Sequence, residues 1–255
     1  MLRHLIGPSF GVLLLLVAPA SNGSDWPAWR GPTQDGITRE TGLPESWSAS
    51  QNITWKVALP GPGNSTPVVW GDRVFVTCAS DKGATRSVLC FDRNDGKELW
   101  RRDTHFAGEE TTHETNPYCA ASPATNGQVV VASMGSAGLV AYTVEGKELF
   151  HRDLGPFHHI WGNASSPVLL PGKIVQLCGP GPESRLVALD AKTGSTLWEN
   201  PIEDAKGKPD QYKGAWDTPV FNEGQLVVGL PGYVAGFDPE SGKELWRCRG
   251  MGIAC

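Results

Sequence analysis

The sequence has no basic run, no sustained helical periodicity and little charge of either sign. Lysine and arginine together number 22 against 27 aspartate and glutamate residues, which gives a formal net charge of -5 over 255 residues. Nucleic acids and anionic membrane surfaces attract proteins through clustered positive charge. Because no such cluster occurs, neither is expected as a partner.

The sequence also lacks adjacent cysteines and any Cys-x-x-Cys pair, so no thiolate metal site is expected. Cys78 and Cys178 each stand eleven residues after a repeated proline, where two other units have Met134 and Leu230. An apolar packing position therefore explains these two cysteines better than a ligand role. A cross-strand disulfide between Cys78 and Cys90 stays open as an alternative.

The first twenty residues have the pattern of a secretory signal peptide. Arg3 and His4 precede an apolar stretch over residues 5–17, and small residues follow at 18–20. We predict cleavage after Ala20 and export to the periplasm or the extracellular space, with no membrane span in the mature chain. A retained anchor is the alternative, although the apolar stretch is short for a bilayer span.

An internal repeat dominates the rest of the chain. CFDRNDGKELW (90–100) recurs as ALDAKTGSTLW (188–198) and GFDPESGKELW (236–246), and AYTVEGKELF (141–150) is a degraded copy. A period of about 50 residues is typical of propeller blades or long solenoid repeats. The motif residues are Asp92, Gly96, Trp100, Phe150, Asp190, Gly194, Trp198, Asp238, Gly242 and Trp246.

Short β-branched runs and tight turns fill the intervals, as in STPVVWGDRVFVTC. Each unit therefore fits four strands, A to D, of one blade. We predict an all-β propeller of four-stranded antiparallel blades, with about four blades present. The predicted divisions are an N-terminal extension (21–54), a lone outer strand (55–66), four blades (65–103, 121–153, 165–200 and 217–249) and a truncated end (251–255).

Within such a blade the motif is predicted to be structural. The acid ends strand C and can bond the turn that follows, and the glycine permits a positive φ there. The aromatic residue lies on outer strand D and can pack over the neighbouring blade. The degraded copy predicts a shorter turn and weaker docking in the second blade.

The units resemble the repeats of pyrroloquinoline-quinone-type propellers, whose tryptophan-docking pattern is A-x-D-x-x-x-G-x-x-x-W. The opening DWPAWRGPTQDGIT (25–38) resembles the N-terminus of secreted bacterial propellers of this kind. The resemblance implies either of two functions, because the family holds quinoprotein dehydrogenases and non-catalytic members such as the propeller lipoprotein of outer-membrane assembly.

We predict a non-catalytic binding or assembly scaffold of the cell envelope, with no cofactor and no catalytic residues. Dehydrogenases of the family carry a vicinal disulfide at the cofactor, and this chain has no adjacent cysteines. The alternative that the resemblance implies is a quinone-dependent oxidoreductase using pyrroloquinoline quinone (PQQ) and calcium.

Three long loops over residues 104–122, 155–166 and 203–218 are predicted to share one face, opposite the turns of the motif. Binding groups often lie on such loops, so a protein partner or a polysaccharide is expected there. A plug of aromatic side chains and ordinary polar loops are the alternatives. The candidate ligand face consists of His113, Asn116, His158, His159, Trp161, Tyr212 and Trp216.

Closure of the ring is the remaining question. Four units fall short of the seven or eight blades that we expect for this repeat, and Trp55 resembles strand D of a blade whose other strands come from elsewhere. A segment of a longer propeller is the main expectation, and assembly of two copies is the alternative. An open arc would also leave surfaces for self-association.

Overall fold

Four antiparallel sheets of four strands each form the part of the chain that the computed structural model describes, residues 23–181, 183–202 and 215–250. The predicted all-β class with propeller blades is therefore confirmed. The strands of the first two blades are β1 (Val68–Trp70), β2 (Arg73–Ser80), β3 (Thr85–Asp92), β4 (Glu98–His105), β5 (Ala124–Thr125), β6 (Val129–Ser133), β7 (Leu139–Thr143) and β8 (Glu148–Arg152). Those of the other two are β9 (Val168–Leu170), β10 (Lys173–Cys178), β11 (Arg185–Asp190), β12 (Thr196–Pro201), β13 (Val220–Asn222), β14 (Gln225–Leu230), β15 (Tyr233–Phe237) and β16 (Glu244–Arg249).

Helical structure in the described residues is limited to two short 3₁₀ turns, Asp81–Gly83 and Gly135–Ala137. Each joins strand B of a blade to strand C. None of the helical segments described here is long and apolar enough to cross a membrane.

The hydrophobic core lies between successive blades. Phe75 and Val88 of the first blade pack with Val130 and Val140 of the second, and equivalent clusters fill the next two junctions. Strand side chains alternate between two faces, so the second and third blades bury one face against the preceding blade and the other against the following one. The repeat is therefore held together mainly at its junctions.

The motif aromatics join the blades along the outer edge. Trp100 packs on the turn glycine of the second blade, where a Cβ on Gly146 would lie 2.7 Å from the indole ring. Its Nε1 donates to the carbonyl of Val144 at 2.9 Å. Trp198 repeats both contacts with Gly242 and with the carbonyl of Pro239, at 3.0 Å. Phe150 packs on Gly194 but has no N–H to donate.

The acid of the motif accepts hydrogen bonds from its own turn. Asp92 Oδ1 accepts from the N–H of Asn94 at 2.8 Å, and Asp238 Oδ1 from Glu240 at 2.8 Å. The backbone N–H of Thr193, followed by its hydroxyl, holds the pKa of Asp190 below its ordinary value. The carboxylates of the motif acids thus bind the backbone of the turn that follows strand C.

A second outer contact comes from the residue two places after the aromatic, which donates to the carbonyl of the same turn glycine. Arg102 Nε donates to Gly146 at 2.6 Å, and Asn200 Nδ2 donates to Gly242 at 2.7 Å. Arg152 makes the same bond at the middle junction. This position lies outside the predicted motif.

The Ser/Thr-Pro positions form an inner ladder across the blades. The N–H of Thr66 donates to Ser122 Oγ at 2.8 Å, the N–H of Ser122 to Ser166 Oγ at 2.9 Å, and the N–H of Ser166 to Thr218 Oγ1 at 3.0 Å. Each hydroxyl therefore links one inner strand to the preceding blade. The ladder fixes the starts of the inner strands and of the loops that lead into them.

The N-terminal extension runs along these inner strands. Trp26 and Val69 of β1 exchange two backbone hydrogen bonds at 2.9 Å, and the carbonyl of Pro27 accepts from Thr125 of β5 at 2.8 Å. Gln34 Oε1 then accepts from the N–H of Phe221 in β13, at 2.8 Å. We call residues 25–34 the inner strap, because they extend from the first blade to the fourth.

Residues 55–66, predicted as the outer strand of a closing blade, are not paired with any of the described strands. An outer strand takes its hydrogen bonds from strand C of its own blade, and none of the strands described here offers one. Trp55 nevertheless packs on Gly96, and its Nε1 donates to the carbonyl of Arg93 at 2.7 Å. The docking contact therefore occurs without the strand.

The alternative of a Cys78–Cys90 disulfide is wrong, because both thiols are free. The register of β2 and β3 places Cys78 opposite Ser87 and Cys90 opposite Phe75, so the two cysteines do not face each other. Both cysteines are fully buried, and burial raises the pKa of the Cys90 thiol to about 12.

Candidate functional site

A cavity of about 590 Å³ on the loop face is lined by aromatic and polar side chains. The cavity lies where the loops between strands D and A meet the inner strap. In an antiparallel blade these loops are at the end opposite the C-to-D turns, so the cavity and the motif turns are on opposite faces. The lining residues are Trp29, Arg30, Asn64, His113, Thr115, Asn116, Ala120, Ser122, Trp161, Ala164, Ser166, Trp216, Asp217 and Thr218.

An aromatic cluster forms one wall. The rings of Trp161 and Trp216 lie 5.5 Å apart between centroids, and His159 contacts Trp216 edge-on at 4.7 Å. Trp216 Nε1 donates to the carbonyl of Gly162 at 2.9 Å, which fixes the buried indole. Trp161 is only partly buried, so part of its ring is accessible from the cavity.

Amide side chains hold the first long loop against this wall. Asn116 Nδ2 donates to the carbonyl of Trp161 at 2.6 Å, and Asn64 Nδ2 donates to the carbonyl of Thr115 at 3.2 Å. His113 Nδ1 lies 2.8 Å from Thr115 Oγ1, and the carbonyl of His113 accepts from the N–H of Asn116 at 2.9 Å. The loop is therefore tied both to itself and to the next blade.

A buried ion pair also stabilises the first long loop, residues 104–122. Arg86 Nη1 and Glu110 Oε2 are 3.1 Å apart, with side-chain exposures of 1% and 4%. Arg86 also donates to the carbonyl of Gly83 at 3.1 Å and lies over the rings of Phe106 and Tyr118. Sequence reasoning missed this pair; the available signal was Arg86, a charge close to the apolar run at 88–91 of β3.

Two charged side chains reach the cavity. The Cζ atom of Arg30 lies 4.4 Å over the ring of Trp29, and the side chain of Arg30 is exposed. Burial raises the pKa of the Asp217 carboxyl, although hydrogen bonds from Gly229 and Thr218 and the charge of Arg30 oppose that rise. The N–H of Gly229 donates to Asp217 Oδ2 at 2.6 Å.

The structure brings together four of the seven candidate ligand residues, namely His113, Asn116, Trp161 and Trp216. His159 is buried behind the two tryptophans. His158 lines a different depression beside Arg185 and Glu199, and Tyr212 lies outside the described residues. Sequence reasoning missed Trp29, Arg30, Asn64 and Asp217; the pair of tryptophans in DWPAWRGP was the available signal for the first two.

The sequence matches the family model of the outer membrane protein assembly factor BamB over residues 46–160 and 182–252. The chain belongs to this family. The resemblance to PQQ-type propellers that the repeats indicated is thereby confirmed, and the match covers the first, second and fourth blades and strands β11 and β12 of the third.

This BamB-family chain is also similar to quinoprotein enzymes. It is 24% identical over 229 residues to a polyvinylalcohol dehydrogenase of a Pseudomonas species, covering 89% of this chain and 26% of that protein. It is 35% identical over 72 residues to the quinohemoprotein alcohol dehydrogenase ADH IIB of Pseudomonas putida. That second match covers 26% of this chain and 10% of the enzyme, so this chain spans a small part of either relative.

Two solved structures share the fold. The quinohemoprotein alcohol dehydrogenase of Comamonas testosteroni matches with a TM-score of 0.61 at 16% identity, over 88% of this chain and 41% of that chain. The quinohemoprotein alcohol dehydrogenase ADHIIG of Pseudomonas putida HK5 matches with a TM-score of 0.57 at 16% identity, over 77% of this chain and 36% of that chain. At 16% identity, this structural similarity establishes the propeller fold alone.

The described lining of the cavity does not fit PQQ, the cofactor that the resemblance to quinoprotein repeats implies. PQQ is a planar quinone that carries several carboxylates, which call for several cations. The described lining provides one guanidinium, Arg30, beside a carboxylate, Asp217. Across residues 23–181, 183–202 and 215–250, no three His, Cys, Asp or Glu side chains are grouped to hold a metal ion.

Proposed function

We propose that this chain is a non-catalytic binding scaffold of the cell envelope whose ligand is a polysaccharide held in the loop-face cavity. The observation that carries the proposal is the accessible Trp161 ring beside Trp216, with amide side chains nearby, in a cavity of about 590 Å³. Small-ligand sites occupy roughly 300–1,000 Å³ and combine apolar walls with a few polar groups. Aromatic faces suit the C–H faces of sugar rings, and amides suit hydroxyl groups.

Export is part of the proposal. It is supported by the signal-peptide pattern of residues 1–20, which precede the described residues, and by the envelope role in the description of the family. A protein partner at the same face was the other sequence-based expectation. The lining favours a sugar, because it combines accessible aromatic surface with hydroxyl and amide groups from several loops.

Trp161→Ala tests the binding proposal. We expect the wild-type chain to bind one or more members of a panel of soluble polysaccharides in isothermal titration calorimetry. The variant is expected to lose binding by roughly tenfold or more, since an aromatic contact is worth about 1–3 kcal/mol. Its thermal midpoint should stay close to that of the wild type, because the ring is partly exposed.

Trp47→Ala is the matched control, since Trp47 is 70% exposed and lies outside the cavity. It is expected to bind like the wild type. Equal affinity of wild type and Trp161→Ala would overturn the placement of the ligand. Failure of the wild type to bind any member of the panel would overturn the proposal that the ligand is a polysaccharide.

Quinone-dependent oxidation of an alcohol is the second candidate function. It is favoured by the similarity to polyvinylalcohol dehydrogenase over 89% of this chain. The full-length protein, mixed with PQQ and calcium, would then reduce an electron-acceptor dye in the presence of an alcohol. No dye reduction and no change in quinone absorbance would exclude this function.

A further inference from the structure

The inner strap supplies part of the candidate site. Its ends are fixed to the first and fourth blades, and Asp25 Oδ1 accepts a further bond from the N–H of Gly71 at 2.7 Å. Between these ends, Trp29 and Arg30 line the cavity together with loop residues of three blade junctions. A ligand in the cavity would therefore touch the strap as well as the loops.

The backbone of the strap places Arg30 in an unusual conformation. Arg30 has a φ of +65°, a left-handed value that is uncommon for residues other than glycine. The carbonyl of Arg30 accepts from the N–H of Gly36 at 3.0 Å, which closes the turn. Because such conformations cost free energy and persist where surrounding contacts impose them, the backbone at Arg30 is held in place by the fold.

The Arg30 guanidinium is available to a ligand. Its side chain is exposed, and no ion pair joins it to any residue in the described ranges. It lies over the ring of Trp29, a contact that restricts the side chain, and its charge also acts on the Asp217 carboxyl of the same cavity. Guanidinium groups bind carboxylates through two parallel hydrogen bonds.

We propose that the inner strap is a wall of the binding site and that Arg30, stacked on Trp29, selects acidic polysaccharides by binding a uronate carboxylate. The sugar rings then lie along the accessible tryptophan surface, and each carboxylate that reaches Arg30 pairs with its guanidinium. This inference rests on the proposed polysaccharide function and adds the charge of the ligand to it.

The test compares acidic polysaccharides with their own carboxyl-reduced forms, so that only the charge differs. Polygalacturonate and alginate serve as probes, in calorimetric titrations of the whole chain at low and moderate salt. The wild type is expected to bind the acidic form roughly tenfold or more tightly than the reduced form. Added salt should weaken that preference, because charge pairing at an exposed site is screened.

Arg30→Gln is expected to abolish the preference for the acidic form, so that the variant binds the acidic and the reduced forms with similar affinity. Arg39→Gln is the matched control, since Arg39 is an exposed arginine of the same extension that does not line the cavity. It should keep the full preference. The unfolding midpoint of each variant shows whether the fold is retained.

The outcomes separate the two proposals. Equal binding of acidic and reduced forms by the wild type, or a preference that survives Arg30→Gln, overturns the role of Arg30 while the polysaccharide function stands. If the wild type binds neither the acidic nor the reduced polysaccharides, both the role of Arg30 and the polysaccharide function are overturned. Binding of polyglutamate but of no polysaccharide, lost in Arg30→Gln, would show an acidic peptide ligand and overturn the inference as stated.

Discussion

Trp100→Ala is expected to lower the free energy of unfolding by roughly 3–5 kcal/mol. The indole is 8% exposed and lies between the rings of Phe75 and Tyr142, at centroid distances of 5.8 and 5.9 Å. Its loss opens a cavity at the junction of two blades, removes the hydrogen bond to Val144 and uncovers the turn at Gly146. Urea unfolding followed by circular dichroism measures the change.

Trp246→Ala provides the control at the same motif position. Trp246 is 39% exposed, and its Nε1 donates to Gln225 of its own blade at 2.6 Å. No later blade is among the described residues, so this indole docks on no turn glycine there, and its removal should cost less than about 1 kcal/mol. Equal losses for the two variants would contradict the interpretation of the motif as a joint between blades.

Glu110→Ala is expected to destabilise the protein by a similar amount, roughly 3–5 kcal/mol. Removing the carboxylate leaves the guanidinium of Arg86 without its counter-ion at a side-chain exposure of 1%. Glu110 also accepts from the N–H of Ser136, and its own carbonyl accepts from the Tyr118 hydroxyl at 2.8 Å. Denaturant unfolding measures the loss.

Glu244→Ala is the matched control for the buried pair. Glu244 pairs with Arg247 at 2.7 Å, but both side chains are about one-third exposed. Exposed ion pairs contribute about 0–1 kcal/mol, so this variant should unfold almost like the wild type. If Glu110→Ala behaved like Glu244→Ala, the pair would not support the long loop as we describe.

Much of the fold could be predicted because its determinants repeat. The acid, glycine and aromatic recur at a fixed spacing, and each occupies a position defined by its own blade and the next one. A turn glycine with a φ of +75°, such as Gly96, leaves a local signal in the sequence. Blade number and strand order follow from such signals without knowledge of distant contacts.

The parts that were missed depend on contacts between segments far apart in the sequence. Gln34 meets Phe221 across 187 positions, and Arg86 meets Glu110 from a different element. Neither contact has a periodic signature. The outer strand predicted over 55–66 depends on a partner strand that none of the described strands supplies, so it stays a prediction.

The candidate site was partly predictable for the same reason. His113, Asn116, Trp161 and Trp216 lie on loops whose face follows from strand order alone. The separate position of His158 and the contribution of Trp29 and Arg30 depend on how the loops and the strap pack. Self-association of an open arc stays a prediction, with Leu245 and Trp246 exposed on the outer strand of the fourth blade.

The central claim is that the repeated motif joins blades while a ligand binds on the opposite face. Hydrogen–deuterium exchange with and without a saturating acidic polysaccharide tests it most directly. We predict slower exchange in the inner strap and in residues 112–122 and 159–166, with no change in the turns at 92–97, 190–195 and 238–243. Protection confined to those turns, with none in the strap or the loops, would contradict the account.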